Sequence, residues 1–221
     1  MSRLLKLSVL SLAASLVAIP ASSSAFGASL FQGTFGADDQ VGLFTFAADG
    51  STDVIIQSYG YAGGTVDSTA IPTGGFAPVV FLFDDTGNEI TSDSGGHCGT
   101  TGTDPVTANC DDPYVLEPLL TAGTYTLALA EWDNGPIDGF LADGFNQDGN
   151  PGFTCAEFGE TGNFCDVTTA LGTQRTGDYA LTITGANGAM DITNATPEPG
   201  TLPLLLSGGF AGALLLQRLK R

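Results

Sequence analysis

Short apolar runs, each closed by a cluster of turn-forming residues, constrain this chain of 221 residues more than any other feature. Residues 41–46 alternate, with Val41, Leu43 and Thr45 to one side and Phe44 and Phe46 to the other. Residues 53–59 are rich in β-branched side chains, and residues 78–83 are continuously apolar, as a central buried strand would be. Residues 123–130 and 177–184 alternate again. Clusters of Gly, Asp, Asn and Pro separate the runs, as at 84–88 and 148–152, and favour turns. Between residues 26 and 190 no stretch carries a 3.6-residue apolar period. Alternating strands without helical crossovers predict antiparallel pairing and two packed sheets, an all-β antiparallel β-sandwich over 26–190.

Charge is distributed as unevenly as hydrophobicity. The chain has 24 acidic and 6 basic side chains, a formal −18. Residues 26–196 hold 23 of the acids and a single base, Arg175, a formal −22. A body this negative repels phosphate backbones, which excludes nucleic acid as a partner. With 43% hydrophobic residues it can still build a core, unlike an acidic disordered chain.

The remaining bases lie in two tips. Arg3 and Lys6 precede an apolar stretch, 7–19, and Pro20 and Ser23-Ser24-Ala25 follow it. That order predicts a signal peptide over 1–25, cleaved after Ala25. At the other tip a linker, 191–200, contains Pro197-Glu198-Pro199. An uncharged run, 202–216, and then Arg218, Lys220 and Arg221 complete 201–221. As a helix the run rises about 22 Å, short of the ~30 Å hydrocarbon core. Local thinning and snorkelling allow such a span to insert, with Arg218, Lys220 and Arg221 as a membrane stop on the cytoplasmic face. The expectation is a single transmembrane helix over 201–221.

Pro197-Glu198-Pro199, the Gly-containing apolar segment and the basic tail together resemble the PEP-CTERM sorting signal of Gram-negative bacteria. The resemblance implies processing by an exosortase, a membrane enzyme with a cysteine nucleophile, near Pro197, Glu198 and Pro199. Two prolines keep that segment extended, which suits a protease cleft. It also implies export, membrane anchoring, and then residence on the cell surface or in the extracellular matrix, with exopolysaccharide and biofilm as the setting. Within the body, Gly123-Thr124-Tyr125-Thr126-Leu127 and Gly177-Asp178-Tyr179-Ala180-Leu181 share Gly-x-Tyr-x-Leu, with Tyr and Leu expected to point inward. This resembles late strands of pre-peptidase C-terminal (PPC-like) domains, small jelly-roll sandwiches. Phe31-Gln32-Gly33-Thr34-Phe35, Gly74-Gly75-Phe76 before 78–83, and Glu131-Trp132-Asp133-Asn134 resemble an exported family that often carries PEP-CTERM tails and has no established activity. That family usually has Asp where this chain has Ala77.

For an exported chain, Cys98, Cys110, Cys155 and Cys165 read as two disulfides, with three connectivities open. Nearest-neighbour pairing would staple two Gly-rich loops. Zinc is disfavoured because no Cys-x-x-Cys occurs. Catalysis finds little support. His97, the only histidine, adjoins Cys98, and neighbours on an extended chain point apart. Nucleophile-elbow, zincin and phosphate-loop motifs are missing, so the expectation is a protein that is not an enzyme. Glu131 and Asp133 would share a strand face about 7 Å apart, as a glycosidase pair might, but a chain this acidic makes such pairs by chance. Calcium is the cofactor to consider, since hard cations favour acid and amide oxygens. Its candidate ligands are Asp84, Asp85, Asn88 and Asp93, then Asp111 and Asp112, then Asn146, Asp148 and Asn150. The competing explanation is solvated turns. Trp132, Asp133 and Asn134 form the carbohydrate candidate, an aromatic platform beside hydroxyl-binding groups. Against it stands Trp132 packed under a loop at the end of its strand.

Overall fold

The computed structural model describes residues 27–193. The expected signal peptide, the Pro197-Glu198-Pro199 motif and the 201–221 segment with Arg218, Lys220 and Arg221 lie outside the described residues. Eleven strands occur among the described residues: β1 (Ser29–Thr34), β2 (Gly42–Ala48), β3 (Val54–Ser58), β4 (Gly64–Val66), β5 (Thr69–Ile71), β6 (Pro78–Phe83), β7 (Glu89–Asp93), β8 (Tyr114–Glu117), β9 (Gly123–Glu131), β10 (Asp178–Thr184) and β11 (Asn187–Asp191). Among the described residues helix is confined to one turn, α1 (Phe153–Ala156), and two 3-10 turns (Ile137–Gly139 and Leu141–Asp143). All five sequence-predicted runs are strands, and β6 starts and ends where the apolar run does.

Pairing within the strands is antiparallel throughout. One sheet has the order β1-β10-β3-β8, the other β11-β2-β9-β6-β7, and β4-β5 is a separate hairpin. Both sheets feed one core. Val54, Ile56, Leu181 and Ile183 enter it from the first, and Phe44, Phe46, Val80, Leu82, Leu127 and Leu129 from the second. Each such side chain, taken fully out of water, contributes about 1.5–3 kcal/mol before conformational entropy is subtracted. The Gly-x-Tyr-x-Leu residues behave as the pattern suggests: Tyr125, Leu127 and Leu181 are core residues and Tyr179 packs against them.

The unbroken apolarity of β6 has a local cause. Val80 and Leu82 face the shared core, while Val79, Phe81 and Phe83 face the other way. There they pack with Ala128, Ala130 and Phe145, so the segment containing the 3-10 turns covers the outer face of this sheet. A strand buried on both faces has no place for polar alternation. Pro78, which lacks an N–H, sits at the strand's first position, where a missing donor is tolerated. Gly33 is needed for close approach. It stands opposite Tyr179 in the β1-β10 ladder, and a Cβ there would lie 2.5 Å from the Tyr179 hydroxyl.

Candidate functional site

The disulfides join nearest neighbours, Cys98 to Cys110 and Cys155 to Cys165, and none of the four thiols is free for metal or nucleophilic chemistry. The second loop is part of the core. Phe164, beside Cys165, stacks on Phe76 at 5.6 Å between centroids, and Phe76 stacks on Phe35 at 5.4 Å. Three rings thus close one end of the shared core. Phe164 takes φ +60°, an uncommon conformation for a bulky residue, which the adjoining disulfide and the ring stack hold in place.

Arg175, the one base of the acidic body, is buried at 6% exposure. Its guanidinium lies 3.8 Å from the Tyr61 ring centroid. Nε donates to the Gly75 carbonyl at 2.9 Å and a terminal nitrogen to the Tyr61 carbonyl at 3.0 Å. Asp104 lies 3.4 Å away and Asp166 4.0 Å. Tyr61 Oη donates to Asp166 at 2.8 Å, and Thr107 Oγ1 lies 2.8 Å from the same hydroxyl. Burial pushes the Tyr61 pKa up first, with Asp166 adding to the rise. For Asp104 burial also pushes upward, but hydrogen bonds from Thr73 and Thr107 and the Arg175 charge outweigh it and bring the pKa down to about 2. Asp104 belongs to the first disulfide loop and Asp166 follows the second, so one cation ties both loops to the sheets. Thr168 adds a second tie, donating to Asp111 at 2.7 Å.

The acids considered for calcium are largely occupied by donors of the chain itself. Asp84 accepts from the Thr86 amide at 2.9 Å, the Thr86 hydroxyl at 2.7 Å and the Asn88 amide at 3.0 Å. Those bonds, the Thr86 side chain first, lower its pKa to about 2. Asn88 turns its amide onto Thr86 and Asp84, and Asp85 is exposed. Asp93, at the far end of β7, accepts from the Gly95 amide at 2.8 Å and meets His97 Nε2 at 2.6 Å. Asp112 is buried and accepts from Ser58 Oγ at 2.7 Å and from the Tyr61 and Ala62 amides at 3.1 and 2.7 Å; burial still raises its pKa. Asp148 accepts from the Phe145 amide at 3.0 Å, Asn150 donates to Gln147 at 2.8 Å, and Asn146 is exposed. Among the described residues, no three His, Cys, Asp or Glu side chains are grouped so as to hold a metal ion.

Glu131, Trp132, Asp133 and Asn134 do not form one surface. Glu131 ends β9 on the core side and is 1% exposed, and neither carboxyl oxygen has a hydrogen-bond partner. Burial raises its pKa well above the ordinary value, and the charges of Asp38 and Asp166 add to the rise; the Trp132 and Ala77 amides pull it down without bonding to it. Asp133 is exposed with φ +69°, so strand alternation has already ended. The two carboxylates, which strand alternation would put on one face, are therefore split between interior and solvent. Trp132 is 40% exposed rather than packed under a loop. Asn134 is fully buried, donating to the Asp39 carbonyl at 3.1 Å and accepting from the Gln147 amide at 3.0 Å. Its amide is thus committed to holding loops together and has nothing left for a sugar.

Two surface clefts stand out. One of about 640 Å³ carries Asp39, Asp148 and Asp191 and reaches Thr193, the last described residue. Another, of about 430 Å³, lies on the face of the β1-β10-β3-β8 sheet that points away from the core. Gln57, Thr182 and Thr184 are in it, with Tyr59 and Tyr114, and the β4-β5 hairpin contributes Asp67. The Arg175 hub and this cleft are both absent from the sequence expectations. The lone internal base was a readable signal for the hub. The cleft residues are scattered among three strands and a hairpin, and only the pairing order brings them together.

No protein-family model and no curated protein matches this chain. The all-β fold, the antiparallel sheets and the two disulfides define the class: a stapled β domain of the kind that persists in oxidising, extracellular surroundings. Among the described residues no helix is long and apolar enough to cross a membrane.

Proposed function

We propose that this chain is an exported module of the cell envelope or extracellular matrix of a Gram-negative bacterium. In this reading it is sorted through a PEP-CTERM signal by an exosortase and has a structural or adhesive role beside exopolysaccharide. The observation that carries the proposal is the order of parts after the body: Pro197-Glu198-Pro199, an uncharged segment too short for comfortable residence in a bilayer, and a basic stop. The body supports it as a jelly-roll-like β-sandwich whose loops are held by disulfides and by one buried cation. Disulfides such as these form and persist in oxidising surroundings outside the cytoplasm. The sealed position of Glu131 weighs against a hydrolytic pair with Asp133, because a general acid must reach the substrate. Anchoring through 201–221 precedes transfer, and release follows cleavage near Pro197, Glu198 and Pro199.

The test compares cells with and without the sorting enzyme. With it, the protein is expected in the matrix fraction with a C-terminus near Pro199. Without it, the protein should stay in the membrane fraction and retain Arg221. Identical C-termini and identical fractions in both strains would defeat the reading.

A further inference from the structure

We propose that the outward face of the β1-β10-β3-β8 sheet binds a neutral polysaccharide chain, lying across β10, β3 and β8 over Thr184, Gln57 and Tyr114. The proposal rests on the matrix reading above and names the partner and the surface.

Register builds the row. Thr182 stands opposite Gln57 in the β10-β3 ladder, and Gln57 opposite Tyr114 in the β3-β8 ladder. With neighbouring strands about 4.8 Å apart, the row spans about 10 Å across the sheet; Thr182, 4% exposed and donating to the Gln57 carbonyl, is its floor, and the half-buried Gln57 and Tyr114 are its open part. One step along the strands, Thr184, Ile55 and Leu116 form a parallel row. The cleft over these rows, about 430 Å³, falls within the range of roughly 300–1,000 Å³ typical of small-ligand sites.

The chemistry selects the ligand. At Asp84, Asp104, Asp112 and Asn134, side-chain oxygens and amides are engaged by neighbours. In the cleft, among the described residues, the Gln57 amide, the Tyr114 hydroxyl and the Thr184 hydroxyl make no hydrogen bond to the protein. They offer donors and acceptors in the mixture that sugar hydroxyls require. The Tyr59 and Tyr114 rings add apolar surface for the C–H faces of pyranose rings. Among the described residues Asp67 is the only charged one lining the cleft, and the single Arg of the described body is buried elsewhere. Among the described residues no Lys or Arg lines the cleft to hold uronate, sulfate or phosphate groups, His97 beside Tyr114 is engaged by Asp93, and a formal −22 between residues 26 and 196 repels anions. A neutral glycan meets none of this opposition. Sugar hydroxyls replace water on groups already solvated, so one cleft binds modestly, and a polymer with many repeats compensates through avidity.

The experiment is affinity electrophoresis of the full chain, in mild detergent, through gels holding the neutral polysaccharide fraction of the producing cells' own matrix. Gels with alginate serve as the anionic control. The wild type should be retarded by the neutral fraction and not by alginate. Gln57→Ala and Tyr114→Ala should each weaken retardation about tenfold, while Trp132→Ala should not. Near-UV circular dichroism checks folding, and Thr184→Ala replaces Tyr114→Ala if the latter loses its signal. Three outcomes would overturn the proposal: no retardation in the neutral fraction, equal retardation in alginate, or retardation indifferent to the cleft variants. Binding is read on purified protein and sorting on cell fractions, so either can fail while the other stands.

Discussion

Asp84 and Glu131 lie at opposite ends of the β6-β9 ladder and have opposite electrostatic fates. Asp84 sits in the turn after β6, where amide and hydroxyl donors converge on it and hold its pKa at about 2. Glu131 ends β9 against the closed end of the core, with no hydrogen-bond partner and a pKa driven well above normal, first by burial and then by Asp38 and Asp166. A count of acids treats the two alike. The difference shows that the negative charge of this body is managed site by site: local donors at the turns, one shared cation at the disulfide loops, and at Glu131 burial that disfavours the charge.

The sharpest way to break this contrast is to remove the cation. Arg175→Met keeps much of the side chain's bulk but leaves Asp104 and Asp166 without it. Breaking a buried charge pair in this way costs about 3–5 kcal/mol, read by urea denaturation at neutral pH. A loss below about 1 kcal/mol would mean that the donors around Asp104 suffice alone. Removing a staple comes next. Cys155→Ser with Cys165→Ser should cost about 2–3 kcal/mol from loop entropy. Because Phe164 belongs to the core stack, that double variant should also lose near-UV aromatic ellipticity, whereas Cys98→Ser with Cys110→Ser should leave it largely intact.

Glu131 gives a smaller effect with a definite sign. Its folded pKa lies above its unfolded one, so the folded state holds the proton more tightly. The associated stability is complete below the unfolded value, about 4.3, and is lost as pH rises through the folded value. Glu131→Gln, which copies the neutral acid, should abolish this decline and be more stable than wild type at pH 8 but not at pH 4. Asp104 works the other way: its lowered pKa gives stability above about 3.9 that disappears as pH falls toward 2. A Glu131→Gln curve parallel to wild type across the range would show that the carboxyl reaches solvent. The smallest effect concerns the turns. With Asp84, Asp93 and Asp148 already accepting local hydrogen bonds, chelation should leave the melting temperature unchanged. Calcium chloride should raise it no more than sodium chloride of equal ionic strength, through screening alone. A calcium-specific rise would locate a cation where the present account has only turns.

The sequence was most legible where one physical demand dominated. Residues 78–83 read as a central buried strand from their unbroken apolarity, and β2, β3, β9 and β10 were visible through their alternating or β-branched pattern. The strands β4, β5, β7, β8 and β11 are three to five residues long and partly polar, so they have no period to read and exist through their partners. Disulfide pairing needed geometry to select among three connectivities. The Glu131–Asn134 stretch misled for a different reason. Strand alternation stops at Glu131, and Asp133 turns to positive φ, so neighbouring residues go to the interior and to solvent in an order that no two-residue period describes. The row of Thr182, Gln57 and Tyr114 spans 125 positions between Gln57 and Thr182, and only register makes them neighbours.

The account depends most on the chain's being trimmed, oxidised and delivered outside the cell. Intact-mass measurement of the protein recovered from the extracellular matrix, before and after thiol alkylation, tests this directly. It should give a species beginning near Phe26, ending near Pro199, and unchanged by the alkylating reagent because all four cysteines are paired. A full-length chain from Met1 to Arg221 that takes up four alkyl groups would contradict it.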